Sequence, residues 1–325
     1  MSASIIIWEA MVVHVRETRL ALTGYAFQTQ RLRQAIAAGL HFDHIVEFDV
    51  RDDDYAPMLS DFAPDLVIQY GSETTDEPRK TLNARYRLAP SLAPTVFAEN
   101  AWLPQSAYIY LDERGLADQS TLHAMTFEQL GPVNDVALNA SIEAYRQMAL
   151  TADQPSEAEG FVLLCLQVPS DTVIQRASPF REMQQLIDTI ENAFSGIPLV
   201  VRPHPFDPLE YQCRHGALHR EGLVGDWIKR ARLVLSCNST TLIEAMALGV
   251  PAAAMGRGIF SGKGVCWEWD GNQNSIPDAL NFTPDRERID RFLWELARRQ
   301  IPITNNVPDH TAHNPVLARI RKRWL

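Results

Sequence analysis

Short runs of consecutive apolar residues alternate along this chain with stretches whose apolar residues recur at helical spacing. Runs of the first kind lie at 4–8, 45–48, 66–69, 95–97 and 107–111, and again at 161–166, 199–201, 233–236 and 251–254. A continuous apolar run of this length is the pattern of a strand covered on both faces, as in a parallel sheet. Helical spacing marks 28–38 and 142–150. In the second half, Met183, Leu186, Ile187, Ile190 and Phe194 give 180–194 one apolar face, which Gly196 and Pro198 terminate. Residues 227–230 read as a helix end and 244–248 as helix. Residues 286–299, RERIDRFLWELARR, form a strongly amphipathic helix. The alternation predicts an α/β protein. It is interrupted at TADQPSEAEG (151–160), which is polar, acidic and without apolar periodicity, and which reads as a linker. Two Rossmann-like units are expected, at 1–152 and 159–325, with the last helices free to pack back on the first unit. No internal repeat or low-complexity tract is present. Such units hold a ligand in the cleft between them, at the carboxyl ends of the strands.

Composition narrows the picture. A chain of 325 residues, 46% apolar, suits two folded cores rather than one. A formal net charge of −10 argues against a nucleic-acid partner, while leaving a local phosphate site open. Cys165, Cys213, Cys237 and Cys266 lack CxxC spacing and read as free thiols of a reducing compartment. No run has the length of a membrane span, and MSASIIIWEA lacks the basic start of a signal peptide, so a cytoplasmic protein is expected. No GxGxxG follows the first predicted strand, which disfavours a nicotinamide dehydrogenase. No His, Cys, Asp or Glu group shows metal-ligand spacing, and no isolated DxD follows a strand as a metal-dependent GT-A transferase requires, so no cofactor or metal is expected. The acidic run 49–54 reads as a solvated loop.

The most informative stretch is LVLSCNSTTLIEAMALG (233–249): strand, polar turn, helix start, helix, stop. A helix N-terminus presents unpaired N–H groups and the positive end of the macrodipole, so Ser239, Thr240 and Thr241 stand where a phosphate is held. Upstream, Arg202-Pro203-His204-Pro205 leaves a buried strand, and the two prolines fix the backbone around His204. His204 is either a turn residue bonding backbone or a rigid group at the strand tip. Asp171, in QVPSDT, also follows a strand. It is either a helix cap or a nucleophile for an anomeric carbon. Glu99 leaves the 95–97 strand, as a loop carboxylate or as a base for an acceptor hydroxyl. Glu244 is a solvated helix residue or a ribose ligand. Arg202 pairs with a carboxylate or faces the ligand. Arg257, between two glycines, belongs to a surface loop or forks onto a phosphate or carboxylate. These elements fit a two-Rossmann, GT-B-like architecture with a central cleft.

In this order, the elements resemble the retaining β-Kdo glycosyltransferases of capsule and O-antigen (lipopolysaccharide) assembly, across most of 95–260. ENAWLPQSAYIYLDERGL (99–116) is similar to the family's EDGF segment and the short strand after it, with Asn100-Ala101 where many members have Asp-Gly. LQVPSDT (166–172), RPHP (202–205) and NSTTLIEAMALGVP (238–251) are similar to its other motifs. The resemblance implies a GT-B-like enzyme that moves β-Kdo from CMP-β-Kdo to an oligosaccharide or lipid-linked glycan. Asp171 would be the nucleophile, Glu99 the acceptor-side acid or base, and His204 the group beside the leaving phosphate. Gln167, Arg202, Pro205, Asn238, Ser239, Thr240, Glu244 and Arg257 would hold the donor. It also implies partnership with other glycosyltransferase modules and work at the inner face of the membrane, where the basic RIRKRWL end meets anionic headgroups or is simply solvated. Three other readings compete. They are an inverting CMP-sialic-acid-type transferase, a GT-B-like nucleotide-sugar epimerase or hydrolase, and a non-catalytic glycan or nucleotide binder.

Overall fold

The computed structural model describes residues 17–37, 40–50, 52, 54–71, 93–151 and 160–324. The first half alternates β1 (Arg19–Gly24), α1 (Ala26–Ala37), β2 (His44–Asp49), α2 (Tyr55–Phe62) and β3 (Leu66–Tyr70), then adds β4 (Thr95–Asn100) and β5 (Tyr108–Asp112). Helix α3 (Asp135–Ala149) leads into the second half. There β6 (Val162–Cys165), α4 (Thr172–Ala177), α5 (Met183–Ala193), β7 (Leu199–Arg202), β8 (Ala217–Leu218) and α6 (Val224–Arg230) follow in turn. Next come β9 (Leu233–Ser236), α7 (Thr240–Leu248), β10 (Ala252–Ala254), β11 (Trp267–Glu268) and α8 (Arg286–Ala297), then β12 (Gln300–Pro302) and α9 (Pro315–Trp324).

The second sheet runs β11-β10-β9-β6-β7-β8, and its pairings are parallel. Every residue of β6, β7 and β9 is buried, which is why these strands are apolar runs in the sequence, broken only at the terminal Arg202 and Ser236. Strand β6 lies between β7 and β9, so chain order reverses there. That is the switch point at which doubly wound sheets leave a crevice beyond the strand tips. The first sheet runs β12-β5-β4-β3-β1-β2, parallel from β4 to β2 and antiparallel at β5 and β12.

Most predicted elements are present, with shifted ends. The strand expected at 4–8 and residues 152–159 of the predicted linker lie outside the described residues. Several elements are not expected from the sequence, β1 and α2 among them. In β1, RLALTG, the apolar run is only three residues long, and burial comes from β2 and β3 on either side. Helix α2 follows the acidic loop and carries Pro57 in its first turn, a position proline tolerates in a helix but which masks the pattern.

The halves share one apolar cluster, in which Phe97, Tyr110 and Ile142 join Leu163, Val234, Phe260 and Trp294. Helices α3 and α6 approach so closely that a Cβ on Gly225 would lie 2.4 Å from the Ala149 carbonyl oxygen, so only glycine fits. The guanidinium groups of Arg288 and Arg291, on α8, lie 4.1 and 4.2 Å from the centre of the Phe127 ring. Strand β12 then returns the chain to the first sheet, pairing Ile301 with Ile109. Val316, Leu317 and Ile320 of α9 join Leu20, Ile68 and Ile109 in the first sheet's core. Among the described residues, no helix is long and apolar enough to cross a membrane.

Asp112 closes β5 and is fully buried. It accepts hydrogen bonds from the Tyr110 hydroxyl at 2.8 Å, the Arg114 N–H at 2.8 Å, and both the N–H and the hydroxyl of Thr121 at 2.9 Å. Asp112→Ala strands these donors in the interior. The expected cost is about 3 kcal/mol or more, read as a lower urea midpoint at unchanged slope.

Candidate functional site

Four strand tips converge on one crevice. Strand β4 alternates, so Phe97 and Glu99 share a face, and Glu99 leaves the sheet opposite Tyr110. Beyond β6, the loop ends at Asp171, which caps α4 by accepting the Val173 N–H at 2.8 Å. Beyond β7 stands His204. Its Nδ1 accepts the Phe206 N–H at 3.2 Å, so the neutral ring carries its proton on Nε2. Beyond β9, Ser239 caps α7 by accepting the Thr241 N–H at 3.2 Å.

Gln167 stitches the tips of β6 and β9 together. Its Oε1 accepts the Asn238 N–H at 2.9 Å, and its Nε2 donates to Asn238 Oδ1 at 2.9 Å. Asn238 in turn donates to the Arg257 carbonyl at 3.1 Å, which brings the 258–260 loop against the helix start. The resulting crevice, of about 700 Å³, is lined by Glu99, Gln167, Asp171, His204, Asn238, Ser239 and Thr240. Trp102, Gln105 and Phe260 complete the wall. A Cβ on Gly258 would meet the Phe260 ring at 2.7 Å, so this glycine serves the packing of the wall rather than a ligand's approach.

The electrostatics are asymmetric. One oxygen of Glu99 is buried with no hydrogen-bond partner. Burial first, then the negative charges of Asp171 and Asp112, push its carboxyl up to about 8, against the opposing charge of Arg176. Burial also lowers the proton affinity of His204, against the pull of Asp171 and Asp207. Asp171 itself is exposed at the floor of the crevice.

A second cavity of about 720 Å³ adjoins the first and shares His204 and Thr240 with it. Arg202, Pro205, Thr241 and Glu244 line it. Glu244 has a buried, unpartnered carboxylate oxygen, and burial raises its carboxyl to about 7. The Thr241 hydroxyl is likewise buried and unpartnered.

The predicted residues therefore divide. Glu99, Gln167, Asp171, His204, Asn238, Ser239 and Thr240 meet in the crevice. Pro205 and Glu244 meet in the adjoining cavity. Arg202 lines that cavity too, but its guanidinium donates to the carbonyls of Glu221 at 2.5 Å and Gly222 at 2.9 Å, so it ties down a loop. The Arg257 side chain is 66% exposed, lies 3.6 Å from Asp118 and borders a different hollow beyond β10. The sequence reading missed Trp102, Gln105, Phe260 and Asp118, whose placement depends on the packing of one half against the other. Among the described residues, no three His, Cys, Asp or Glu side chains converge on a metal position.

Two α/β sheets facing each other across a crevice at their strand tips define a GT-B-like protein. The chain belongs to the capsule polysaccharide biosynthesis protein family, whose sequence profile matches residues 136–298. The same fold is seen in KpsC of Thermosulfurimonas dismutans. The structure of its beta Kdo 2,7 transferase gives a TM-score of 0.57 at 15% identity, covering 85% of this chain and 89% of that one. Its beta Kdo 2,4 transferase gives 0.55 at 12% identity, over 86% and 90%. No curated protein matches the sequence.

Proposed function

We propose that this protein is a retaining glycosyltransferase that moves β-Kdo from CMP-β-Kdo to a glycan acceptor in surface polysaccharide assembly. One observation carries the reading. Glu99 from one half and Asp171 from the other line a single crevice, beside His204 and the capped start of α7. The family membership and the KpsC transferases of like fold support it.

The chemistry follows from the placement. The CMP phosphate sits at the N–H groups of α7, where the helix dipole favours negative charge. The His204 Nε2–H donates to the phosphate oxygen on which charge develops as the C2–O bond breaks. An Asp171 oxygen attacks C2, CMP leaves, and a glycosyl ester forms. An acceptor hydroxyl then attacks C2 from the opposite side. Glu99 takes its proton, and the C2–Asp171 bond breaks. Two inversions leave the β configuration unchanged. Glu244 and the Thr241 hydroxyl hold the ribose in the adjoining cavity, whose wall they help to form. The donor is already activated by its nucleotide, so this scheme assigns no step to a metal.

The test is the product. Incubation with CMP-Kdo should release CMP beyond the one molecule lost on forming each Asp171 ester only when a Kdo-terminated oligosaccharide is present as acceptor, and nuclear magnetic resonance should show a β linkage in the product. An α linkage would assign the inverting mechanism instead. Repeated turnover of the donor without acceptor would assign a hydrolase or epimerase.

A further inference from the structure

We propose that Asp118 is a positioning residue that reaches from the first half to the second and clamps the helix capped by Asp171, fixing the gap between Asp171 and Glu99. The inference rests on the double-displacement reading, in which that gap must admit one sugar.

Asp118 lies in the turn Ala117–Gln119 of the first half. Its side chain is only 7% exposed. Arg176, on α4 of the second half, donates to Asp118 Oδ1 from Nε at 2.9 Å, with its Nη2 at 2.7 Å from the same oxygen. The other oxygen, Oδ2, lies 3.6 Å from Arg257, so helix α4 and the loop after β10 share one acidic anchor. Helix α4 spans only six residues, too few to hold its own direction. Asp171 caps one end of it and Arg176 ties the other.

The anchor itself is rigid. The buried Asp112 fixes the chain at Arg114 and Thr121, on either side of the turn. Ala117 holds a left-handed backbone with φ 51°, a conformation an alanine adopts only when its surroundings impose it, and it lines the crevice. Removing one partner of such a partly buried ion pair costs more than breaking a surface pair, because it leaves a charge away from water without its partner. The pair also bears on Glu99. The groups that face Glu99 are Asp171 and Arg176 from α4, Asp112 and Tyr110 from β5, and Tyr70 from β3. Asp118 draws Arg176, the cation among them, toward itself.

Asp118→Asn is therefore expected to lower kcat by about 10- to 100-fold, as a misplaced reacting group does, with donor KM within about threefold of wild type because the cavity of Glu244 is untouched. Removing a negative charge beside Arg176 favours ionised Glu99, so the acid limb of the rate profile moves to lower pH. Arg176→Gln should give a similar loss, and the double variant should be no worse than the poorer single one. Retained CMP binding shows that each variant is folded. Hydrogen exchange of wild type and Asp118→Asn reads the clamp without activity, with faster exchange expected over 172–177. Should the wild type fail to use CMP-Kdo, the functional reading falls while this exchange measurement still decides the clamp. Unchanged exchange, a kcat within twofold of wild type with an unmoved pH profile, or losses that add in the double variant would each overturn the proposal.

Discussion

Incubated with CMP-Kdo, the protein is expected to gain the mass of one Kdo residue, and Asp171→Asn is expected to abolish that gain. Turnover should fall by about 10³-fold or more, the scale on which enzymes lose rate when a nucleophile is removed. The choice of asparagine matters. Asp171 accepts the Val173 N–H as the cap of α4, and asparagine caps a helix as well as aspartate does. The variant therefore keeps the helix while losing the nucleophile and the negative charge that bears on Glu99 and His204. Asp171→Ala would add a capping loss of about 1 kcal/mol and blur the result. Intact-protein mass spectrometry with and without acceptor is the measurement. An Asp171→Asn protein that turns over at the wild-type rate would eliminate the covalent route.

Glu99→Gln is expected to cost about 10²- to 10⁴-fold in turnover, the usual share of a positioned base. Because the Glu99 carboxyl is pushed up to about 8, wild-type turnover should rise with pH through that value. Stability moves the opposite way. The folded carboxyl holds its proton to about 8, whereas the unfolded chain releases it near 4.5. Between those values the folded state binds more protons, so stability present below pH 4.5 is lost as pH climbs toward 8. Glutamine mimics the protonated form and carries no such dependence. Thermal melts of the two proteins should thus converge near pH 4.5 and separate toward pH 8, with Glu99→Gln the more stable. A melting difference that stays constant over this range would show that Glu99 is not held protonated.

Much of the site can be read from the residues because the chemistry sits where local rules are strong. Strands such as Val162–Cys165 and Leu233–Ser236 are apolar up to their last residue because both faces are covered, so their tips are visible, and the residues just past each tip enter the crevice. The prolines around His204 and the serine ahead of α7 are local signals of the same kind. Other features depend on distant partners. Strand Arg19–Gly24 is buried only because its neighbours flank it. Arg202 looks like a ligand-facing group until the 220–222 carbonyls are seen to claim it. Glu244 is a lone carboxylate on an apolar helix, and its own burial is not legible until Tyr145 of α3 packs near it. Asp118 has no signature in the chain, since its meaning arises when Arg176 arrives from the other half.

The return of the chain through Gln300–Pro302 and Pro315–Trp324 bears on how this molecule is dissected. A fragment cut anywhere between Ile109 and Ile301 separates partners of the same hydrogen-bonded ladder. The amino-terminal piece would show the bare edge of Tyr108–Asp112, and the carboxyl-terminal piece would carry Val316, Leu317 and Ile320 into water. Neither piece would make a sound recombinant reagent, and work on donor recognition alone calls for point variants rather than truncation.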